Sequence, residues 1–183
     1  MTRKRPLIVV VTGSECTGKT TLARELAARF EASCSQEFAR EYVNRKNALL
    51  DVRDVEPIAR GQVAAEEEAV ARAAEIAVKD TDLVSTVVYA RHYYGSCPAW
   101  VEREASARLG DLYLLLHPDV PWVADGLQRD RPADRDLLHS LFEKQLATFG
   151  ARVVHITGDW PTRRRLALDA VHSLLPPRGQ SRL

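Results

Sequence analysis

The chain has 183 residues, 26 Lys and Arg against 25 Asp and Glu, a net charge of +1, and is 45% hydrophobic and 28% charged. This composition suits one globular domain that buries its own core, and it excludes a disordered, collagen-like or low-complexity chain. The balanced charge argues against a protein that coats nucleic acid, and no apolar run approaches the ~18 residues of a membrane span.

Leu7-Ile8-Val9-Val10-Val11 is an unbroken apolar run rich in β-branched residues, the mark of a strand buried on both faces of a parallel sheet. It is too short for the apolar region of a secretory signal. Residues 13–18 break the pattern, and Lys19–Phe30 predicts a helix with Leu22, Leu26 and Phe30 on one face. A short strand at Cys34–Gln36, a helix at Phe38–Lys46, a loop at Asn47–Glu56 and a long Ala- and Glu-rich helix at Pro57–Glu75 follow. Ile76–Val78 predicts the next strand and runs into Lys79-Asp80-Thr81-Asp82. Helices at Leu83–Tyr94 and Ala99–Leu109 are split by Gly95-Ser96-Cys97-Pro98, and Leu112–Leu116 is a clear strand. A polar stretch, Pro118–Asp134, precedes a helix at Ala133–Phe149, a strand at Val153–Ile156 and a helix at Pro161–Leu175 that opens on proline. Residues 176–183 read as a frayed tail.

Strands alternating with helices predict βαβ units. The expected fold is α/β, a three-layer domain over residues 1–175 with a parallel sheet and helices on both faces. Cys16, Cys34 and Cys97 form no metal or disulfide pattern and read as reduced thiols of a cytoplasmic protein. The five histidines are scattered along the sequence, and none is expected to ligate a metal.

Between the first strand and helix, Gly13-Ser14-Glu15-Cys16-Thr17-Gly18-Lys19-Thr20 matches the G-x-x-x-x-G-K-[ST] phosphate loop. Glycines let backbone N–H groups curl around a phosphate, and the helix beginning there directs its positive end at the anion. Lys19 is placed to reach the β- and γ-phosphates and the Thr20 hydroxyl to ligate Mg²⁺, with Thr21 continuing the loop. The expected fold is therefore a P-loop NTPase that binds ATP with Mg²⁺. Size and the absence of an Asn-Lys-x-Asp guanine signature favour a small-molecule kinase over a GTPase. Residues 123–135 read as a lid in which Arg129, Arg131 and Arg135 could cover the transferring phosphoryl group.

Asp80 and Asp82 follow a strand of a parallel sheet, at the end where ligands bind. On an extended segment alternate residues point the same way, so both carboxylates are expected to face the phosphates, one for Mg²⁺ and one as base, without an assignment between them. Glu37, Arg40 and Glu41 share one helix face, where a carboxylate can hold a ribose diol and the arginine can steady it. Glu15 is unusual inside a polyanion site. Tyr93, Tyr94 and Trp100 flank a glycine turn and offer aromatic faces.

Four segments in order resemble one known family: the phosphate loop in its Gly-x-Glu form, Glu37-Phe38-Ala39-Arg40-Glu41-Tyr42, Gly61-Gln62 with Asp80-Thr81-Asp82, and Trp122-Val123-Ala124-Asp125-Gly126-Leu127. The chain resembles the nicotinamide-riboside kinase domain of NadR-type proteins, within the wider P-loop kinase and AAA-like ATPase set, from about Leu7 to Leu175. The resemblance implies ATP-dependent phosphorylation of the 5′-hydroxyl of nicotinamide riboside, with Tyr94 stacking the pyridinium ring. It also implies that Trp160 lies where such kinases hold adenine. The sequence departs from the family at Gln128, where an arginine is usual, with Arg129 next. The family's adenylyltransferase precedes its kinase domain; only residues 1–6 precede the first strand here, and that activity is expected to be absent. Expected partners are ATP and a nucleoside-like acceptor, with no nucleic acid and no membrane; an oligomer is left open. The rival readings are a kinase for another nucleoside or small metabolite, and a regulatory nucleotide-binding ATPase.

Overall fold

The computed structural model describes residues 5–122 and 132–176. Its strands are β1 (Leu7–Gly13), β2 (Ser33–Ser35), β3 (Ile76–Asp80), β4 (Leu112–Leu116) and β5 (Val153–Ile156). Its α-helices are α1 (Lys19–Phe30), α2 (Phe38–Lys46), α3 (Val55–Arg72), α4 (Leu83–Tyr94), α5 (Ala99–Ala107), α6 (Arg135–Thr148) and α7 (Trp160–His172). The strands form one sheet in the order β2-β3-β1-β4-β5, and every pairing is parallel.

Alternation along β1 sends successive side chains to opposite faces. Ile8 and Val10, with Tyr113 and Leu115 of β4, pack under α3, α4, α5 and α6. Val9 and Val11, with Leu114 and Leu116, pack under α1 and α7. The sheet is thus covered on both sides, which is why its strands read as continuous apolar runs. This is the three-layer α/β fold that the sequence predicts.

The differences from expectation have local causes. β3 runs on through Lys79 and Asp80 because the buried Lys79 ammonium meets Glu66 on α3 at 2.6 Å, so the charge does not end the strand. The loop after α2 is interrupted by a 3-10 turn at Val52–Asp54, where Asp51 and Asp54 form a reciprocal capping box. That turn feeds α3 two residues before Pro57, which then sits in the first turn, where a missing N–H costs nothing. A second 3-10 turn, Pro132–Asp134, delays α6 to Arg135. Helix α7 starts at Trp160 because Asp159 caps it, its side chain accepting from the Thr162 N–H at 3.0 Å.

Candidate active site

The phosphate loop leaves β1 while that strand is still paired, with Gly13 opposite Leu116. Gly13 has φ 137, and a Cβ there would lie 2.7 Å from the Leu116 carbonyl oxygen, so only glycine fits. Cys16 also adopts a left-handed conformation, φ 54. Gly18 caps α1 with no side-chain acceptor. The first N–H groups of α1 therefore face the loop's concavity unclaimed by any cap, which is the arrangement that receives an anion. Lys19 Nζ and Thr17 Oγ1 both donate to the Ser14 carbonyl at 2.9 Å, which holds the loop closed and Lys19 folded across it.

Two arginines fix the loop from outside. Arg163 of α7 is fully buried; its Nη1 donates to the Thr17 carbonyl at 3.0 Å and its Nε to Gly158 O at 2.8 Å. Its Nη2 donates to His117 O at 2.8 Å and is paired with Asp119. Nothing in the run Arg163-Arg164-Arg165 marks this role, since three consecutive arginines on a helix resemble a solvated face. Arg135 of α6 donates to the Cys16 carbonyl at 3.4 Å and to Val120 O at 3.1 Å, and its buried Nε has no partner among the described residues. Arg129 and Arg131, with most of the expected lid, lie outside the described residues.

A cavity of about 570 Å³ opens from the loop. Glu15, Cys16, Thr17, Gly18, Lys19, Thr20 and Thr21 form one end. Glu37 and Arg40 of α2, 3.8 Å apart, and Tyr93 and Tyr94 of α4 stand at the other. The phosphate loop and the residues expected to meet an acceptor thus share one space. Gly13 and Ser14 lie behind its wall. Tyr89 extends the aromatic wall, its ring stacked on Tyr93 at 6.1 Å between centroids. Trp100 is elsewhere, under the Arg60 guanidinium and against the α4–α5 core. Arg24, Gln62 and Thr86 also line the cavity; nothing local in the sequence distinguishes them, since the fold alone brings their helices here.

Two expected positions need correction. Asp80 and Asp82 do not face the same way, because Thr81 between them has φ 63 and breaks the extended alternation. Thr81 reaches the cavity, while Asp82 turns into the core. The Asp82 carboxylate caps α4, accepting from Val84 N–H at 3.0 Å, and accepts from the Tyr113 hydroxyl at 2.5 Å. Burial pushes this carboxyl upward, and burial together with Asp82 pushes the Tyr113 hydroxyl far up. Asp80 is equally buried, but its Oδ1 has no hydrogen-bond partner among the described residues. Trp160 is the second correction. Its indole packs on Gly18, where a Cβ would lie 2.9 Å from the ring, and its Nε1 donates to Glu25 at 3.2 Å. It braces the loop and forms no part of the cavity wall.

The α2 side of the cavity is positioned by a buried polar chain. Lys79 Nζ donates to Glu66 Oε2 at 2.6 Å, and Gln62 Nε2 donates to Glu66 Oε1 at 3.2 Å. Gln62 Oε1 then accepts the Phe38 N–H at 3.0 Å, satisfying a free donor at the start of α2. Burial raises the Glu66 carboxyl against the opposing pull of Lys79. Gly61 completes the joint, since a Cβ there would fall 2.1 Å from the Phe38 ring. Gly61-Gln62 is thus the seat on which α2, with Glu37 and Arg40, rests. At the far side of α2, Asp54 accepts from Lys46 Nζ at 2.5 Å, Tyr42 Oη at 3.0 Å and Asp51 N–H at 2.7 Å.

Three of the five histidines, scattered in sequence, come together in the fold. His117, His139 and His155 gather with Glu143 at the β4–β5 edge, outside the cavity.

A strand–helix phosphate loop at the C-terminal end of the central strand of a parallel sheet of order 2-3-1-4-5, opening on one shared cavity, defines a P-loop NTPase of the nucleoside-kinase type. A model of the AAA domain family matches residues 8–163, and the chain belongs to that family. Within it, this is a P-loop kinase domain of the NadR type. The chain is 29% identical over 177 residues to the trifunctional NAD biosynthesis/regulator protein NadR of Salmonella typhimurium and 32% identical over 150 residues to that of Escherichia coli. These alignments cover 93% and 77% of this chain but only 43% and 37% of those proteins. A crystal structure of NadR in complex with NR superposes with a TM-score of 0.84 at 31% identity, covering 98% of this chain and 55% of that one. Deoxyadenosine kinase from M. mycoides, at 12% identity and a TM-score of 0.65 over 92% of this chain, shares the fold. Among the described residues no helix is long and apolar enough to cross a membrane.

Proposed function

We propose that this chain transfers the γ-phosphoryl group of Mg²⁺–ATP to the 5′-hydroxyl of nicotinamide riboside, yielding nicotinamide mononucleotide. The observation that carries this reading is the single cavity that joins the phosphate loop to Glu37, Arg40 and Tyr94. Solved NadR relatives holding NR, and holding NAD with AMP-PNP, support both ends of it.

The loop amides and Lys19 bind the β- and γ-phosphates and neutralise charge that grows on the oxygens during transfer. The donor set for Mg²⁺ fits: the Thr20 hydroxyl lines the cavity, and Asp80, at the end of β3, has a buried Oδ1 with no protein partner among the described residues. Bound there, Mg²⁺ would supply charge neutralisation between the phosphates. Asp82 is withdrawn from the reaction by its bonds to Tyr113 and Val84. Glu37 accepts from the ribose hydroxyls and Arg40 holds Glu37 in place. The ring of the acceptor rests on the tyrosine wall of α4, where a cationic pyridinium is favoured by the aromatic face. Arg135, the one arginine predicted for the lid that falls among the described residues, is anchored on the Cys16 carbonyl of the loop. Holding donor and acceptor in one cavity supplies the larger part of the acceleration, since phosphoryl transfer asks for little covalent help.

The test is turnover of ATP with a panel of nucleosides. Nicotinamide riboside is expected to be phosphorylated at the highest kcat/KM. Turnover of other nucleosides without nicotinamide riboside would overturn the acceptor, and slow hydrolysis that no acceptor accelerates would overturn the kinase.

A further inference from the structure

We infer that His117, His139, Glu143 and His155 form a binding site for a transition-metal ion, Zn²⁺ by its chemistry, separate from the nucleotide cavity. One ligand atom from each of the four residues lies within 4.8 Å of all the others. His117 Nε2 is 2.8 Å from His155 Nδ1, and Glu143 Oε1 is 3.6 Å from His155 Nδ1 and 3.7 Å from His139 Nε2. Tetrahedral Zn²⁺, with bonds of about 2.0–2.1 Å, places its ligands roughly 3.3 Å apart. The observed separations bracket that value, so small rotations of the two half-exposed side chains, Glu143 and His155, would close the shell.

His139 supplies a second, independent observation. Its side chain is 9% exposed, and neither ring nitrogen has a hydrogen-bond partner among the described residues. A buried imidazole without partners is unusual, and this one lies 4.1 Å from the His117 ring between centroids, beside the other ligands. His139 and Glu143 are i,i+4 on α6, the spacing that puts two side chains on one face over one point. His117 follows β4 and His155 lies in β5, and the His117 N–H is tied to Ile156 O at 3.0 Å. Three elements distant in sequence thus contribute to one cluster.

The donor set selects the ion. Imidazole with one carboxylate suits Zn²⁺, whereas Mg²⁺ prefers oxygen donors. Four protein ligands leave no open position, so the site is structural and pins α6 to the β4–β5 edge of the sheet. It also fixes His117, whose carbonyl anchors Arg163 and, through it, the phosphate loop.

The full chain, stripped of metal with a chelator, is titrated with Zn²⁺ against a chromophoric competitor in the absence of nucleotide. One equivalent is expected to bind, and binding should raise the thermal midpoint. Co²⁺ should give the intense visible bands of a tetrahedral site without thiolate charge transfer. Glu143→Gln and His155→Gln, on different elements and both at half-exposed positions, should each weaken Zn²⁺ by roughly tenfold or more, with circular dichroism unchanged. No binding at micromolar Zn²⁺, thiolate bands in the Co²⁺ spectrum, or full affinity in either variant would overturn the site.

Discussion

At the phosphate end of the cavity, the groups that face a ligand come from one contiguous strand–turn–helix unit, and most of them are backbone. At the end proposed to hold the acceptor they are side chains of α2 and α4, and what places them is a buried chain, Lys79–Glu66–Gln62, that reaches α2 through the Phe38 N–H. The first end is specified by local conformation: glycines at 13 and 18, a left-handed Cys16, an uncapped helix start. The second is specified by burial and pairing between segments far apart in the chain. Damage to the two should therefore look different. A lesion in the loop should lower the rate without loosening the fold, and a lesion in the buried chain should loosen the fold and carry the acceptor residues with it.

The largest effect is expected from Lys79→Met. It leaves Glu66, 2% exposed, without its cation, and removing one member of a buried pair costs about 3–5 kcal/mol. Denaturant unfolding measures the loss. The double variant Lys79→Met/Glu66→Met should recover much of it, because no charge is then left buried. A loss confined to activity would break the comparison. Lys19→Ala comes next. It removes the ammonium that bonds the Ser14 carbonyl across the loop. Steady-state kinetics should show kcat reduced about 10²–10³-fold with the unfolding midpoint nearly unchanged.

Gly61→Ala sharpens the contrast from the acceptor side. The added methyl would meet the Phe38 ring at 2.1 Å, and overpacking of this kind costs about 1–3 kcal/mol. Alanine's better helix propensity, worth about 1 kcal/mol, offsets part of that. Displacing α2 moves Glu37 and Arg40, so the acceptor KM should rise severalfold while the KM for ATP stays put. Equal changes in both constants would show that the two ends are not independently built.

These differences explain what was legible in the sequence. β1, β4, β5 and the phosphate loop could be read directly, because an apolar run and a motif of eight consecutive residues carry their own physics. Glu37, Arg40 and Tyr94 could be placed near the site, but Gly61 and Gln62 were visible only as one of the segments that carry the family resemblance, with no sign that they seat α2. Arg163 was invisible, since a buried guanidinium bonded to four acceptors from three segments looks in sequence like one more surface arginine. Asp82 was misplaced because the period-two rule assumes extended backbone, and the left-handed Thr81 violates it. The histidine cluster was missed for the same reason as Arg163: 38 residues separate His117 from His155, and only the parallel pairing of β4 with β5 brings them together.

The smallest expected effect concerns acid, and it compares one carboxylate from each end. Asp54 belongs to the acceptor end, Asp119 to the support of the phosphate loop. For Asp54, burial works to raise the carboxyl, but Lys46, the Asp51 N–H and the Tyr42 hydroxyl together hold it below its ordinary value. For Asp119, burial is likewise outweighed, by the Gly158 N–H and Arg163. A carboxyl depressed in the folded state contributes stability at pH above its unfolded value, about 3.9, and that contribution disappears as pH falls through the folded value. Thermal midpoints measured between about pH 6 and pH 2 should therefore decline on the acid side. Asp54→Asn and Asp119→Asn should each lower the midpoint at pH 6 and flatten the acid limb. The change should be larger for Asp54, because its side chain is 7% exposed and that of Asp119 is 40%, where water screens the pairing more. Glu66 and Asp82, which burial pushes the other way, cannot produce a decline of this sign, so an acid limb that survives in the Asp54→Asn/Asp119→Asn double variant would have to come from other depressed groups, such as Glu25, held down by Arg164, or His117 and His139, held down by burial.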